Sequence, residues 1–153
     1  MITRRDGCVR TICATAAVEA RLRHDPLVGT EHLLVALLHD PLLAESYVDG
    51  RSPRHAREAL GRLDTAALRS AGIDAPDLPG GPPIAPNPGG DLSAGAKDAL
   101  ARAHRIGRAA PPRRTAPEDL LRALVLEPRP NRVAEVLREM GIDPADVLSR
   151  LAA

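Results

Sequence analysis

One aromatic side chain in the whole sequence, that of Tyr47, limits what this chain can fold into. The 153 residues include no Phe and no Trp, yet 44% of them are hydrophobic, so a core must be built from Ala, Leu, Val and Ile. These side chains suit closely packed helices, whereas strands usually carry more β-branched and aromatic residues. The composition predicts an all-α fold.

Segment 73–90 divides the sequence into two halves. It reads IDAPDLPGGPPIAPNPGG, and so many Pro and Gly residues sustain neither a helix nor a central strand. We therefore expect a first unit over 1–72, a linker over 73–90 and a second unit over 91–153.

Hydrophobic spacing in the first half predicts about four helices. An apolar stripe begins at Cys8, after Asp6 as a candidate N-cap, and segment 30–38 is apolar enough to be a buried central helix. Two more helices are expected over 53–62 and 64–71, with 46–52 irregular before them. Gly72 is expected to end the last one.

The second half has clearer helix-start signals. Ser93 is a candidate N-cap for a helix to about 108, and Pro117 fits the first position of a helix over 117–127. Asn131 opens a third helix that Gly141 closes, and Asp143 with the following proline starts a fourth. Four helices are therefore expected in this half as well.

The two halves can be aligned with each other. A shift of 87 residues places Glu31 on Glu118 and also superimposes the Leu pairs 33–34 and 120–121. The alignment predicts a tandem repeat of two four-helix units, packed as one globular domain with pseudo-two-fold symmetry.

Several classes of protein are disfavoured. The 21 basic and 20 acidic residues nearly cancel, which argues against nucleic-acid binding, although a small helical DNA-binding regulator stays an alternative because of the arginines near 102–114.

Cys8 and Cys13 lie on different sides of one predicted helix and cannot pair, and the histidines lack metal-site spacing. With neither a signal-peptide run nor an 18-residue apolar stretch, we expect a monomeric cytoplasmic protein.

Catalysis has little support in the sequence. It contains neither the G-x-x-x-x-G-K-[ST] phosphate loop nor a G-x-S-x-G nucleophile elbow. We therefore expect no enzymatic activity and no cofactor.

Two segments resemble the Clp N-terminal repeat of ClpA- and ClpC-type AAA+ unfoldases. Residues 28–38, VGTEHLLVALL, are similar to the G-T-E-H-[IL]-L-x-[GA]-L signature, and residues 133–143, VAEVLREMGID, are similar to a stretch of the second repeat. In the second repeat G-T-E-H becomes Ala116-Pro117-Glu118-Asp119. The aromatic residues that commonly precede each repeat's first helix are replaced here by Arg5 and Leu92.

The resemblance implies a free-standing binding module without its own ATPase. Domains of this family dock adaptors and substrates for a Clp ATPase ring, and in ClpC-type members they capture phosphoarginine on marked proteins. This implies protein or peptide partners and a role in modulating Clp-dependent proteolysis. A decoy homologue with a decayed binding site is the other alternative.

Glu31 and Glu118 are the candidate ligand contacts that the resemblance implies. A carboxylate can accept two hydrogen bonds from a guanidinium, and the N–H groups of the same helix start can face a phosphate. The helix dipole alone also favours a first-turn glutamate, so a purely structural role stays open. Thr30 and His32 are weaker candidates, since the first could cap the helix and the second could be a buried structural imidazole. The duplication predicts one groove holding both carboxylates.

Overall fold

The computed structural model describes residues 9–74, 90–109, 111 and 115–153. That part of the chain contains eight α-helices and no β-strand, as the composition predicted, and none of these helices is long and apolar enough to cross a membrane. The helices are α1 Val9–Leu22, α2 Thr30–Leu37, α3 Pro41–Tyr47, α4 Pro53–Ser70, α5 Ala94–Arg108, α6 Pro117–Val125, α7 Arg132–Glu139 and α8 Pro144–Ala152.

The predicted central helix, α2, lies at the middle of the fold. All of its residues are buried except Glu31, and it packs against α1, α4, α5, α6 and α7. In the second half α6 has the corresponding place, because α5 packs mainly on it and α2, α7 and α8 also contact it. One hydrophobic cluster joins residues of both halves, so they share a core.

The structure confirms the helix starts predicted in the second half. The Ser93 hydroxyl accepts a hydrogen bond from the Ala96 N–H at 3.1 Å, and the Asp143 carboxylate caps α8 in the same way. Asn131 does more than cap α7. Its amide group also donates to three backbone carbonyls at the end of α6, those of Leu124, Val125 and Glu127.

Two expectations for the first half were wrong in detail. The segments 53–62 and 64–71 form the single helix α4, because an exposed Gly61 weakens a helix without breaking it. Helix α3 was missed, although Asp40 caps it from Oδ1, 3.0 Å from the Leu42 N–H, and Pro41 occupies its first position. The same Asp-Pro signal was used correctly at Asp143.

Two hydrogen bonds tie the first half to the start of the second. The Val28 N–H donates to the Asp91 carbonyl at 2.8 Å, and the Ser93 N–H donates to the Val28 carbonyl at 3.0 Å. Val28 is only 1% exposed, so this parallel bridge is fixed in the core. It brings the start of α5 beside the start of α2.

Each half contains four helices in the same order, but the pseudo-two-fold symmetry stays a prediction, as do the unit boundaries. Asp6, Cys8 and most of the linker lie outside the described residues. Cys13 is half-buried against the core.

An ion pair between a buried glutamate and an exposed arginine fastens α1 to α4. Glu19 is 2% exposed, and its carboxylate accepts two hydrogen bonds from Arg57, at 2.6 and 2.9 Å. The His39 ring contacts the same carboxylate at 3.1 Å. The Arg57 hydrogen bond, more than any other contact, holds the pKa of Glu19 below its ordinary value despite the burial.

We predict that Glu19→Gln destabilises the fold by about 2 kcal/mol at neutral pH, because the buried group loses its charge and one of the two oxygens that accept from Arg57. The folded pKa of Glu19 is lowered, so its contribution is present above the unfolded pKa and is lost as the pH falls through the folded value. Urea unfolding at several pH values should show the difference closing in acid. Glu58→Gln, at an exposed ion pair with Arg54, is the matched control and should change stability little. Equal effects of the two substitutions would contradict the prediction.

Candidate functional site

A small groove of about 270 Å³ lies where the start of α2 meets the start of α5. The loop before α2 forms its other wall. The groove therefore joins residues from both halves of the chain. It is lined by Asp25, Pro26, Leu27, Gly29, Thr30, Glu31, His32, Ser93 and Gly95.

His32 is buried beneath this groove and holds its loop in place. Its Nδ1 accepts the Gly29 N–H at 2.8 Å, so Nε2 carries the ring proton and donates to Asp25 Oδ2, also at 2.8 Å. The ring is 1% exposed. Both ring nitrogens are thus engaged, which gives His32 a structural role in positioning the groove rather than one of direct contact with a ligand.

Asp25 continues this network away from the groove. It also accepts from Arg23 Nε at 3.1 Å, and Arg23 donates in turn to Asp64 on α4. Asp64 accepts a further hydrogen bond from Arg132 on α7. A chain of alternating charges therefore links the groove to the contact between the two halves.

Glu31 is the half-buried acid in the first turn of α2, as predicted. Its carboxylate lies over the backbone of Gly29, where a Cβ would stand 2.3 Å from Oε2. The backbone of Gly29 is ordinary and extended, with φ of −89°, so another residue could adopt it. What the missing side chain provides is room for the Glu31 carboxylate.

Thr30 faces a second acid that the sequence interpretation missed. It is 6% exposed, and its side chain hydrogen-bonds the carboxyl group of Glu127, which follows α6. Glu127 Oε1 lies 2.9 Å from the place of a Cβ on Gly95, while Oε2 is buried without a hydrogen-bond partner. Thr30 therefore serves the packing of α2 against the end of α6 instead of capping its own helix.

The electrostatics around Glu127 are unfavourable to its charge. Burial is the largest effect and raises the pKa of its carboxyl group above the ordinary value. The charge of Arg102 and the hydrogen bond with Thr30 lower it, while the negative charges of Glu31 and Asp98 raise it further. The surroundings of Glu127 therefore favour its protonated form more than water does.

Ligand atoms of Asp25, Glu31 and His32 lie within 4.8 Å of one another, a spacing that a metal ion could bridge. His32 could ligate through Nε2 only by giving up its proton, and its Nδ1 already faces an N–H donor. A metal would therefore leave the ring with no place for its remaining proton unless the Gly29 hydrogen bond broke. The hydrogen-bonded arrangement explains the cluster without an ion.

Glu118 has different surroundings from Glu31. It is exposed in the first turn of α6 and does not line the groove at Glu31. Its charge raises the pKa of Tyr47, after the larger effect of burial, so it lies near α3. The single groove predicted to hold both glutamates is thus lined, among the described residues, by Glu31 without Glu118.

The helix start at Glu118 nevertheless keeps the local geometry of α2. Asp119 Oδ2 accepts the Ala116 N–H at 2.8 Å, as His32 accepts that of Gly29. In the second motif a carboxylate therefore accepts the N–H of the N-cap residue, where a histidine ring nitrogen does so in the first. The hydrogen bond is the same, although the accepting group differs. A search for acceptors three positions after the N-cap could have found this equivalence in the sequence.

Among the arginines near 102–114, Arg105 and Arg108 are exposed, whereas Arg102 serves the packing of α5 on α6. Arg102 is half-buried and donates to the Ala123 carbonyl at 3.0 Å. Arg113 and Arg114 lie outside the described residues.

No family model matches this sequence, and no curated protein matches it. Among solved structures, the crystal structure of the N-terminal domain of the caseinolytic protease associated chaperone ClpD from Arabidopsis thaliana is similar. The TM-score is 0.67, with 22% identity, and the match covers 100% of this chain and 98% of that one. The chain has a Clp N-domain-like fold.

The full-length match confirms the fold that the signature at residues 28–38 implied. In this Clp N-domain-like fold the groove is formed by that same signature segment together with the start of α5. At 22% identity the likeness is one of fold, so a function must be argued from the residues of the groove itself.

We predict that Glu127→Gln leaves the protein at least as stable as the unmodified chain at neutral pH, because it removes a poorly compensated buried charge. The folded pKa of Glu127 is raised, so its ionisation costs stability above that pKa, and the cost disappears as the pH falls through it. Thermal unfolding from neutral to acidic pH should show the two proteins converging. A Glu127→Gln protein that is clearly less stable at neutral pH would contradict this account.

Proposed function

We propose that this chain is a non-enzymatic protein-binding module that takes arginine-phosphorylated segments into the groove at Glu31. Its partners would be marked substrates, adaptors or a Clp ATPase ring, and binding would modulate Clp-dependent proteolysis. The observation that carries this proposal is the position of the Glu31 carboxylate beside two helix N-termini in one small groove.

The charges of the groove complement a group that is positive at one end and negative at the other. The Glu31 carboxylate, free to lie over Gly29, can accept a pair of hydrogen bonds from a guanidinium. The first N–H groups of α2 and α5 have no acceptor within their helices, and both helix dipoles are positive at this end. Together these N–H groups can hold a phosphate.

The volume also favours a single side-chain head. At about 270 Å³ the groove is smaller than the roughly 300–1,000 Å³ of sites for drug-sized ligands. Pro26 and Leu27 at its edge are exposed, so a modified arginine could enter while its main chain stays outside. Such a site suits recognition of a mark on a protein.

Glu118 is proposed as a second, weaker contact at the start of α6. It has the same first-turn position as Glu31, and Asp119 fixes the helix start beneath it. Because Glu118 is exposed, water screens its interaction with a guanidinium more strongly. We therefore expect it to contribute less than Glu31.

Calorimetric titration with phosphoarginine tests the proposal. Glu31→Ala should reduce affinity at least tenfold, Glu118→Ala should reduce it less, and the double substitution should abolish binding with helicity intact, since charge-assisted hydrogen bonds of about 1.5–3 kcal/mol are lost. Asp146→Ala removes another exposed first-turn acid, at the start of α8, and is the matched control. No heat with the unmodified protein would remove the phosphoarginine function while leaving adaptor binding open.

Gly29→Ala provides a sharper variant, since it keeps the glutamate but displaces it. The added Cβ occupies the space of the Glu31 carboxylate, whereas the backbone of Gly29 tolerates alanine. We expect a loss of phosphoarginine affinity comparable to that of Glu31→Ala, with little change in stability by thermal unfolding. Unchanged affinity would show that the resting position of the carboxylate is irrelevant to binding.

A pull-down with the host's Clp ATPase ring, adaptors and arginine-phosphorylated proteins tests the wider role. Retention of marked proteins that Glu31→Ala abolishes would support it. Retention unaffected by either glutamate substitution would place the binding surface elsewhere.

A further inference from the structure

Leu27 forms an apolar edge on the groove. It is 46% exposed, and it lines the groove together with Pro26, next to Glu31. Other large apolar side chains are also exposed in the described part of the chain, namely Val18, Leu22, Leu42, Ile73 and Leu126. Leu27 differs from them because it borders the groove.

The outward position of Leu27 is fixed by its neighbours. On one side Val28 is buried and held by two backbone hydrogen bonds to the start of the second half. Residues 26 and 27 form a bend just before this bridge, and Leu27 faces outward there. On the other side Asp25 is fastened by His32 and Arg23. Pro26 adds a fixed φ angle between these anchors.

An apolar side chain on an anchored backbone at the edge of a polar groove suits contact with a ligand. Little backbone entropy is lost when a partner covers Leu27, because hydrogen bonds hold the residues on either side of it. Leu27 also lines the groove, so one partner can contact both. A segment that places one side chain in the groove can therefore lay the next one on Leu27.

We propose that Leu27 and Pro26 form a specificity shelf, which selects segments carrying an apolar residue next to the modified arginine. This rests on the proposed function, because the arginine head must occupy the groove at Glu31. The module would thus recognise a two-residue pattern rather than the mark alone.

The test compares blocked five-residue peptides with phosphoarginine at the centre. One peptide has glycine at all other positions, and two others carry leucine immediately before or immediately after the phosphoarginine. We expect at least one leucine peptide to bind about fivefold more tightly than the glycine peptide, the value for covering roughly 40 Å² of apolar surface. Leu27→Ser should remove this gain, so that the ratio of the leucine-peptide affinity to the glycine-peptide affinity falls to about one.

Leu42→Ser is the matched control, since Leu42 is 49% exposed and does not line the groove. It should keep the leucine preference. Equal affinity of the unmodified protein for all three peptides would overturn the shelf while leaving phosphoarginine binding in place, and an equal loss of preference in both variants would also overturn it. Failure of every peptide and of free phosphoarginine to bind would overturn the proposed function together with the shelf. The comparison on the unmodified protein decides the matter even if Leu27→Ser does not fold.

Discussion

The geometry of the groove depends on the two hydrogen bonds of the buried His32 ring. One closes the start of α2 through the Gly29 N–H, and the other holds Asp25 at the beginning of the loop. These bonds act together with the Val28 bridge, since Pro26 and Leu27 between them are both exposed. The ring thus holds the loop at Asp25 and the helix start at Gly29, on the two sides of the exposed residues.

The same ring lies at the end of a longer network of charges. Asp25, Arg23 and Asp64 lead from it to Arg132 on α7. These groups are half-exposed, so each pair adds modestly to stability. Their larger effect is on orientation, because they fix the loop of the first half relative to a helix of the second. Residues of both halves line the groove, and these ion pairs help to hold the two halves in position relative to each other.

The sequence predicted the elements whose signals are local. The apolar run of α2 and the caps at Ser93, Asn131 and Asp143 were sufficient to place those helices. The division of 53–71 into two helices was wrong, because helix α4 runs without interruption from Pro53 to Ser70. Helix α3 was missed although Asp40 precedes a proline, since it has only seven residues and a short apolar face.

Only the residues of the candidate site that belong to one continuous segment were predictable from the sequence. Glu31, Thr30 and His32 lie together because they belong to one helix start, and the signature named them. Glu127 and Gly95 reach the same region through the packing of α5 and α6, which hydrophobic periodicity does not encode. The expectation of one groove for both glutamates treated equivalence in a repeat as proximity in space.

Tyr47, the only aromatic residue of the chain, lies beside Glu118. Any change of charge near that carboxylate acts directly on the one phenol in the protein. The absorbance and fluorescence of the whole molecule in the near ultraviolet therefore come from a single known position. The fold thus carries an intrinsic optical reporter at the end of α3, near the start of α6, and a partner docking there can be followed without attaching any dye.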